Sequence, residues 1–399
     1  MPDDQSITVS SKLCFSKILG KNHIRQLKYP ELGLTSGDPL CALLEHGKDF
    51  ELHGRKVLIS KVQRQIIPDG FDDALYPSGN NRFAWSRKHE IADIKWEEIF
   101  ARREDTAALL KNKFTFVEEE RNSDLSIRKP GLRSPQIGAI YAALGHWRMS
   151  SDVGTIVLPT GTGKTDCMIA LMAIQRPTCL LVVVPTDALR SQLAEKFMSF
   201  GVLVQNGLLP GDVTYPIVGV LKTGFKSHKE IEVFCKACNV IVTTMPLLSK
   251  FSELEQKLLA SYCGSLFIDE AHHVKAVTWS RLRAQFVGKP ILQFTATPYR
   301  NDGQHVDGRI IFNYPLRMAQ EEGYFNKLVL KELWNYVDID ESVAKAAVEQ
   351  LTSDLDKGLD HIVMARASSI SRAEALKAIY DGLGRNYLPV VVHRKLSRL

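Results

Sequence analysis

The chain has 399 residues, 45% of them hydrophobic, and a formal net charge of +6 from 51 basic and 45 acidic side chains. That length suggests two or three domains, and that apolar content sustains a packed core and excludes a wholly disordered chain. The small positive surplus suits a polyanionic partner without requiring one. The seven cysteines are odd in number and scattered, and a chain this long does not need disulfide staples, which points to a reducing compartment. Cys235 and Cys238 form a CxxC with no second pair to complete a four-ligand zinc site, so packing is their expected role. The start Met1-Pro2-Asp3-Asp4 lacks the basic and apolar regions of a secretory signal. No apolar run approaches the ~18 residues that span a bilayer. The expectation is a soluble, cytoplasmic protein.

In chain order, residues 1–130 are mixed in character and read as an accessory domain. Val57 to Ile67 has room for one or two strands, and Trp96 to Lys113 has the apolar spacing of an amphipathic helix. Asp69 with Asp93-Ile94-Lys95 loosely matches a metal-dependent nuclease pattern, but Asp-x-Lys is common on surfaces. Phe83, Trp85 and Trp96 lie among Arg82, Arg87 and Lys88, a mixture able to stack on bases but more often the core edge of a domain beside a solvated face. The polar stretch Glu118 to Gly131 reads as a linker.

From 131 to 325 short apolar runs alternate with helical patterns. The runs are Thr155 to Leu158, Cys179 to Val184, Asn239 to Val242, Ser265 to Ile268 and Ile291 to Phe294. None alternates with polar residues, the signature of strands buried on both faces of a parallel sheet. Helical patterns such as Asp166 to Gln175, Ala188 to Phe200 and Lys229 to Cys238 lie between them. The fold class is α/β, a doubly wound parallel sheet. From 326 to 399 a further unit begins, with strands expected at Ile362 to Met364 and Leu388 to Val392 around a helix from Arg372 to Leu383.

Two motifs carry chemistry. Thr160-Gly161-Thr162-Gly163-Lys164-Thr165 follows a strand and opens a helix. Its glycines let backbone N–H groups curl around a phosphate, and the helix N-terminus adds partial positive charge. Lys164 is placed to reach the β- and γ-phosphates, and Thr165 to put a hydroxyl on Mg²⁺. Leu158 stands where the general pattern wants a further glycine. Asp269-Glu270-Ala271-His272 sets two acids at the carboxyl end of a strand, where open α/β sheets bind ligands. Asp269 is the expected Mg²⁺ ligand and Glu270 the group that orients and deprotonates water. His272 could relay between the nucleotide and its partner site, while His273 has no assigned role.

With these residues in this order, the chain resembles the superfamily 2 DEAD/DEAH-type helicases, in the branch of restriction-type and repair-type DNA translocases. The resemblance implies a RecA-like motor domain at 131–325 and the start of a second one at 326–399. It implies ATP and Mg²⁺ as ligands and DNA as partner. Gln136 in Leu132-Arg133-Ser134-Pro135-Gln136 looks like the adenine-sensing glutamine. Thr186 and Arg190 look like motif Ia, and Thr243 and Thr244 like motif Ib, both implied nucleic-acid backbone contacts. Thr295 and Thr297 look like motif III, which couples the γ-phosphate to the second domain, with Arg300 and Asp302-Gly303 as an extension. Ile362 to Ala367 looks like motif IV. The sequence ends at Leu399 before motifs V and VI could occur, so weak hydrolysis by this chain alone is expected unless another chain supplies the second half. The competing readings are an ATP- and DNA-binding regulatory module that does not turn over, and a small-molecule kinase.

Overall fold

In the computed structural model the described residues are 6–35, 38–52, 54–63, 65–87, 89–271, 276–299, 303, 305–326, 328–334, 338–383 and 387–393. The chain divides into two compact units, Met1–Asn326 and Lys327–Leu399.

The first unit is organised by a nine-stranded sheet. Seven of its strands are parallel, in the order Arg309–Asn313, Gly154–Val157, Ile291–Thr295, Ser265–Ile268, Leu180–Val184, Val240–Thr244 and Ile217–Val220. The apolar runs read from sequence form strands because both faces are covered. Leu180, Val182 and Val184 pack with Ala170, Leu193 and Phe197 on one side, and Leu181 and Val183 pack with Ile231, Leu259 and Leu282 on the other. Each such fully buried side chain contributes about 1.5–3 kcal/mol. Helices Lys164–Gln175, Asp187–Met198 and His228–Ala237 fall within two residues of their expected bounds.

The last two strands of this sheet come from the first 30 residues. The hairpin Lys12–Leu19 and Asn22–Tyr29 adds antiparallel to Ile217–Val220. Helix Trp96–Leu109 also packs on the core layer of this sheet through Ile99. The sheet and its layers therefore cross the boundary expected at 130. The rest of the N-terminal segment forms a six-stranded mixed sheet with its own core of Val9, Tyr29, Leu44, Val57, Leu75 and Trp85. Among the described residues, Val57 to Ile67 contributes to one strand, Arg55–Ile59. The stretch expected as a linker pairs Glu120–Arg121 with Ile127–Lys129 and is fixed by hydrogen bonds between Leu132 and both Val117 and Glu119.

The second unit contains helices Ile339–Asp356 and Ile370–Leu383, joined by Arg372 to the Asp340 carboxylate at 2.8 Å. Residues 362–364 and 388–392 form no strand. A strand is defined by a paired neighbour, and this unit offers none among its described residues.

Candidate functional site

The phosphate loop lies at the carboxyl end of strand Gly154–Val157. Gly161 and Gly163 adopt φ +92° and +90°, a region L side chains rarely enter. A Cβ at Gly163 would also run into the amide nitrogen of Gln136. Gly163 caps helix Lys164–Gln175, so the first free N–H groups of that helix open onto the loop. The Thr162 hydroxyl donates to the Pro159 carbonyl at 2.7 Å, holding the turn closed.

Lys164 is buried and donates to Glu270 Oε1 at 2.8 Å. This brings the loop and the carboxylate pair, 106 residues apart, into one site. Asp269 is buried, its N–H bonded to Val183 on the next strand. Burial, then the charge of Glu270, pushes its carboxyl up to about 6 against the opposing pull of Lys164. Asp269 Oδ1 is buried and has no hydrogen-bond partner. Glu270 sits at φ +50°, a left-handed conformation that costs a non-glycine residue about 1–2 kcal/mol. A turn of the backbone immediately after the strand thus aims the second carboxylate at Lys164. His272 and His273 lie outside the described residues, as do Arg300 and Asp302.

Thr160, Thr186, Glu270 and Thr297 share one open recess, so the phosphate loop and the segments after three other strands meet there. The Thr295 hydroxyl donates to the Thr297 carbonyl at 2.7 Å, and the Leu158 N–H donates to the Thr295 carbonyl at 2.9 Å. The Thr295–Thr297 turn is in this way tied to the strand that leads into the phosphate loop. Thr165 is half-buried at the first turn of the loop's helix.

Gln136 is buried against the loop with both ends of its amide engaged. Its oxygen accepts from the Arg133 N–H at 2.8 Å, and its nitrogen donates to Asp166 Oδ2 at 3.3 Å and the Gly163 carbonyl at 3.4 Å. Two residues not singled out from sequence take part. Arg133 Nη1 donates to the Gly161 carbonyl at 3.0 Å, and Asp166 holds the Gln136 amide. Sequence carried no signal for either, because an arginine side chain has no acceptor to cap a helix and only the Gln136 half of a capping box is present.

Of the four expected nucleic-acid contacts, Thr186 presents its side chain to solvent, where it also caps helix Asp187–Met198 through the Leu189 N–H. Arg190 is buried and paired with Asp187 at 2.7 Å. Thr243 and Thr244 are buried, and the Thr243 hydroxyl donates to the Leu221 carbonyl at 3.4 Å. Phe83 and Trp85 are core residues of the six-stranded sheet, with Trp85 stacked on Tyr29 at 4.5 Å. Trp96 packs on Phe100, and Lys88 lies outside the described residues. Asp69 and Lys95 are exposed, and Asp93 reaches Lys17 at 3.5 Å. Among the described residues no three His, Cys, Asp or Glu side chains cluster to hold a metal, and no helix is long and apolar enough to cross a membrane. Cys235 and Cys238 are buried free thiols in the apolar core.

Residues 129–300 match the family described as Type III restriction enzyme, res subunit. The DNA 3'-5' translocase XPB2 of Sulfurisphaera tokodaii is 32% identical over 174 residues, which are 44% of this chain and 32% of that protein. The chain thus spans about a third of the length of this curated relative. Solved structures with similarity include the UvsW helicase of bacteriophage T4, 16% identical over 49% of this chain and 60% of that one with a TM-score of 0.31. A second is a nuclease-deletion mutant of the type ISP restriction-modification enzyme LlaGI with a DNA substrate mimic, 17% identical over 57% and 23% with a TM-score of 0.35. By the family match over 129–300 and the translocase relative, this part of the chain is similar to helicases and translocases of superfamily 2.

Proposed function

We propose that this chain binds Mg-ATP at the phosphate loop and uses it to move along DNA, as a DEAH-type translocase or helicase module. The observation that carries the reading is the convergence of Lys164, Asp269 and Glu270 at the carboxyl edge of the sheet, with Lys164 and Glu270 in direct contact. Lys164 leaves Glu270 to take the β- and γ-phosphates, freeing that carboxylate to orient the attacking water. The unpartnered Asp269 Oδ1 fits a cation, and Asp269 with the Thr165 hydroxyl would hold Mg²⁺. When bound, the ion offsets the charge of the phosphates. Gln136 selects adenine by exchanging one of its present amide partners for the base edge.

In this reading 131–325 is the ATP-binding domain and 326–399 begins a second motor domain. Thr295 and Thr297 relay the state of the γ-phosphate. DNA lies along the loops that follow Val184 and Thr244, gripped at Thr186 and by backbone N–H groups. The test is steady-state ATP hydrolysis by the chain with and without single- and double-stranded DNA, beside Glu270→Gln. DNA-stimulated turnover that disappears in the variant supports the proposal. Failure of the wild type to bind ATP overturns it.

A further inference from the structure

The register of the N-terminal hairpin decides where its basic residues lie. Asn22–Tyr29 runs antiparallel to Ile217–Val220, with His23 opposite Val220 and Gln26 opposite Ile217. Val220 is the carboxyl end of a parallel strand, so the hairpin turn at Gly20-Lys21 sits on the same edge of the sheet as the segments after Val184 and Thr244. Three strand steps separate Leu180–Val184 from Asn22–Tyr29. At ~4.8 Å per step this is ~14 Å, about four base steps of a duplex at 3.4 Å each.

A buried residue of the hairpin builds this part of the edge. Asn22 Oδ1 accepts from the N–H groups of Lys222 and Thr223 at 2.8 and 2.9 Å, and its Nδ2 donates to the Thr223 carbonyl at 3.2 Å. The loop after Val220 is thereby held with Lys222 exposed beside the hairpin. Lys21 is exposed as well, and among the described residues neither lysine is in an ion pair. Behind them a recess between the hairpin and helix Asp187–Met198 is lined by His23, Arg25, Ser191, Glu195, Val220 and Lys222. Arg25 Nη2 lies 3.0 Å from His23 Nδ1, and its buried Nε has no hydrogen-bond partner. His23 is held below the usual histidine range by burial, then by the charges of Lys222 and Arg25. Lys21 and Lys222 stand on the edge that continues the proposed DNA-facing loops, and His23 and Arg25 lie behind them in the recess beside the Glu195 carboxylate, so three cations against one carboxylate make a surface for phosphates.

We infer that Lys21, His23, Arg25 and Lys222 form a DNA-backbone site, with Asn22 as its positioning residue, that takes phosphates of the strand gripped at Thr186. The inference rests on the proposed DNA motor and assigns part of its grip to the N-terminal hairpin. The site reads charge and not bases, so it acts equally on all sequences.

The experiment is fluorescence anisotropy of the full chain on mixed-sequence duplex DNA over a range of NaCl, comparing wild type, Lys21→Gln with Lys222→Gln, and Arg25→Gln. Lys21 and Lys222 are exposed, so their replacement spares the core, and thermal unfolding checks each fold. Each lost phosphate contact lowers the slope of log K against log salt by about 0.9. The expected result is a slope smaller by about 2 in the double variant and by about 1 in Arg25→Gln. Lys222→Glu is expected to weaken binding further through repulsion. A wild type that binds DNA, with all variants sharing its slope and affinity, overturns the hairpin site and leaves the motor standing. A wild type that does not bind DNA overturns both.

Discussion

Lys164 Nζ lies 2.8 Å from Glu270 Oε1, so the cation proposed to take phosphate is held by the carboxylate proposed to orient water. Each of the two groups thus keeps the other in place, and in the proposed cycle a nucleotide separates them. Glu270→Gln keeps the shape and a hydrogen-bonding oxygen but loses the base. It is expected to bind ATP with affinity within a few-fold of wild type and to lose hydrolysis by ~10² or more. Lys164→Ala removes the phosphate ligand and leaves Asp269 and Glu270 adjacent without that cation. Nucleotide binding is expected to disappear. Titration with a fluorescent ATP analogue, beside a phosphate-release assay, checks both; tight binding by Lys164→Ala would place the phosphates elsewhere.

Gly163 is constrained twice, by φ +90° and by the Gln136 amide where a Cβ would be. Gly163→Ala is expected to cost about 1–2 kcal/mol from the backbone alone and to displace Gln136. Gly145, in the middle of helix Ser134–Met149 with open space at its Cβ position, provides the control, where alanine should be neutral or stabilising. Thermal melts of the two variants give the comparison, and equal midpoints would show that the loop relaxes freely.

Asn22 joins the first strands of the chain to the loop after Val220. Asn22→Ala deprives the Lys222 and Thr223 N–H groups of their acceptor, at a cost of about 1–3 kcal/mol. Hydrogen exchange at these two amides should accelerate while the strand Val240–Thr244 stays protected. Unchanged exchange would mean that the loop keeps its form without Asn22.

Lys12 and Lys28 both pair with the buried Asp73, and Lys28 also reaches Glu90 at 3.3 Å. Burial, then the charge of Lys28, pushes Lys12 down to about 8, and burial shifts Lys28 in the same direction. Lysines with lowered native values bind fewer protons folded than unfolded between about 8 and 10.5. Stability therefore rises with pH across that window. The gain has an upper bound of about 3 kcal/mol for Lys12. Denaturant unfolding of wild type against Lys12→Met at pH 7.5 and 10 isolates the effect. A difference that does not grow in favour of wild type with pH would sink it.

The phosphate loop and the Asp269-Glu270 pair were legible because backbone chemistry ties them to a few residue types: glycines at positive φ, and acids immediately past an apolar strand. The five central strands were legible because burial on both faces admits only apolar runs. The hairpin was not. Its inward positions include Asn22 and Gln26, polar residues buried because Thr223, Tyr215 and Thr106 accept or donate from elsewhere in the chain. Hydrophobic spacing cannot register a residue whose burial depends on distant partners. The same limit applies to Arg190, Thr243 and Thr244. Their places after strands could be read, but the direction of each side chain follows from the pleat and from local pairs such as Arg190 with Asp187.

Because Gln26 bonds to Tyr215, 189 residues further along, the hairpin leaves the ribosome long before the strand that completes it exists. At 5–20 residues per second the wait is roughly 10–40 s. During synthesis Ile24 and Phe15, fully buried in the finished protein, have no layer to enter. The core of the nine-stranded sheet can assemble only after much of the chain has been made, so chaperone demand and translation speed become determinants of how much folded protein a cell recovers.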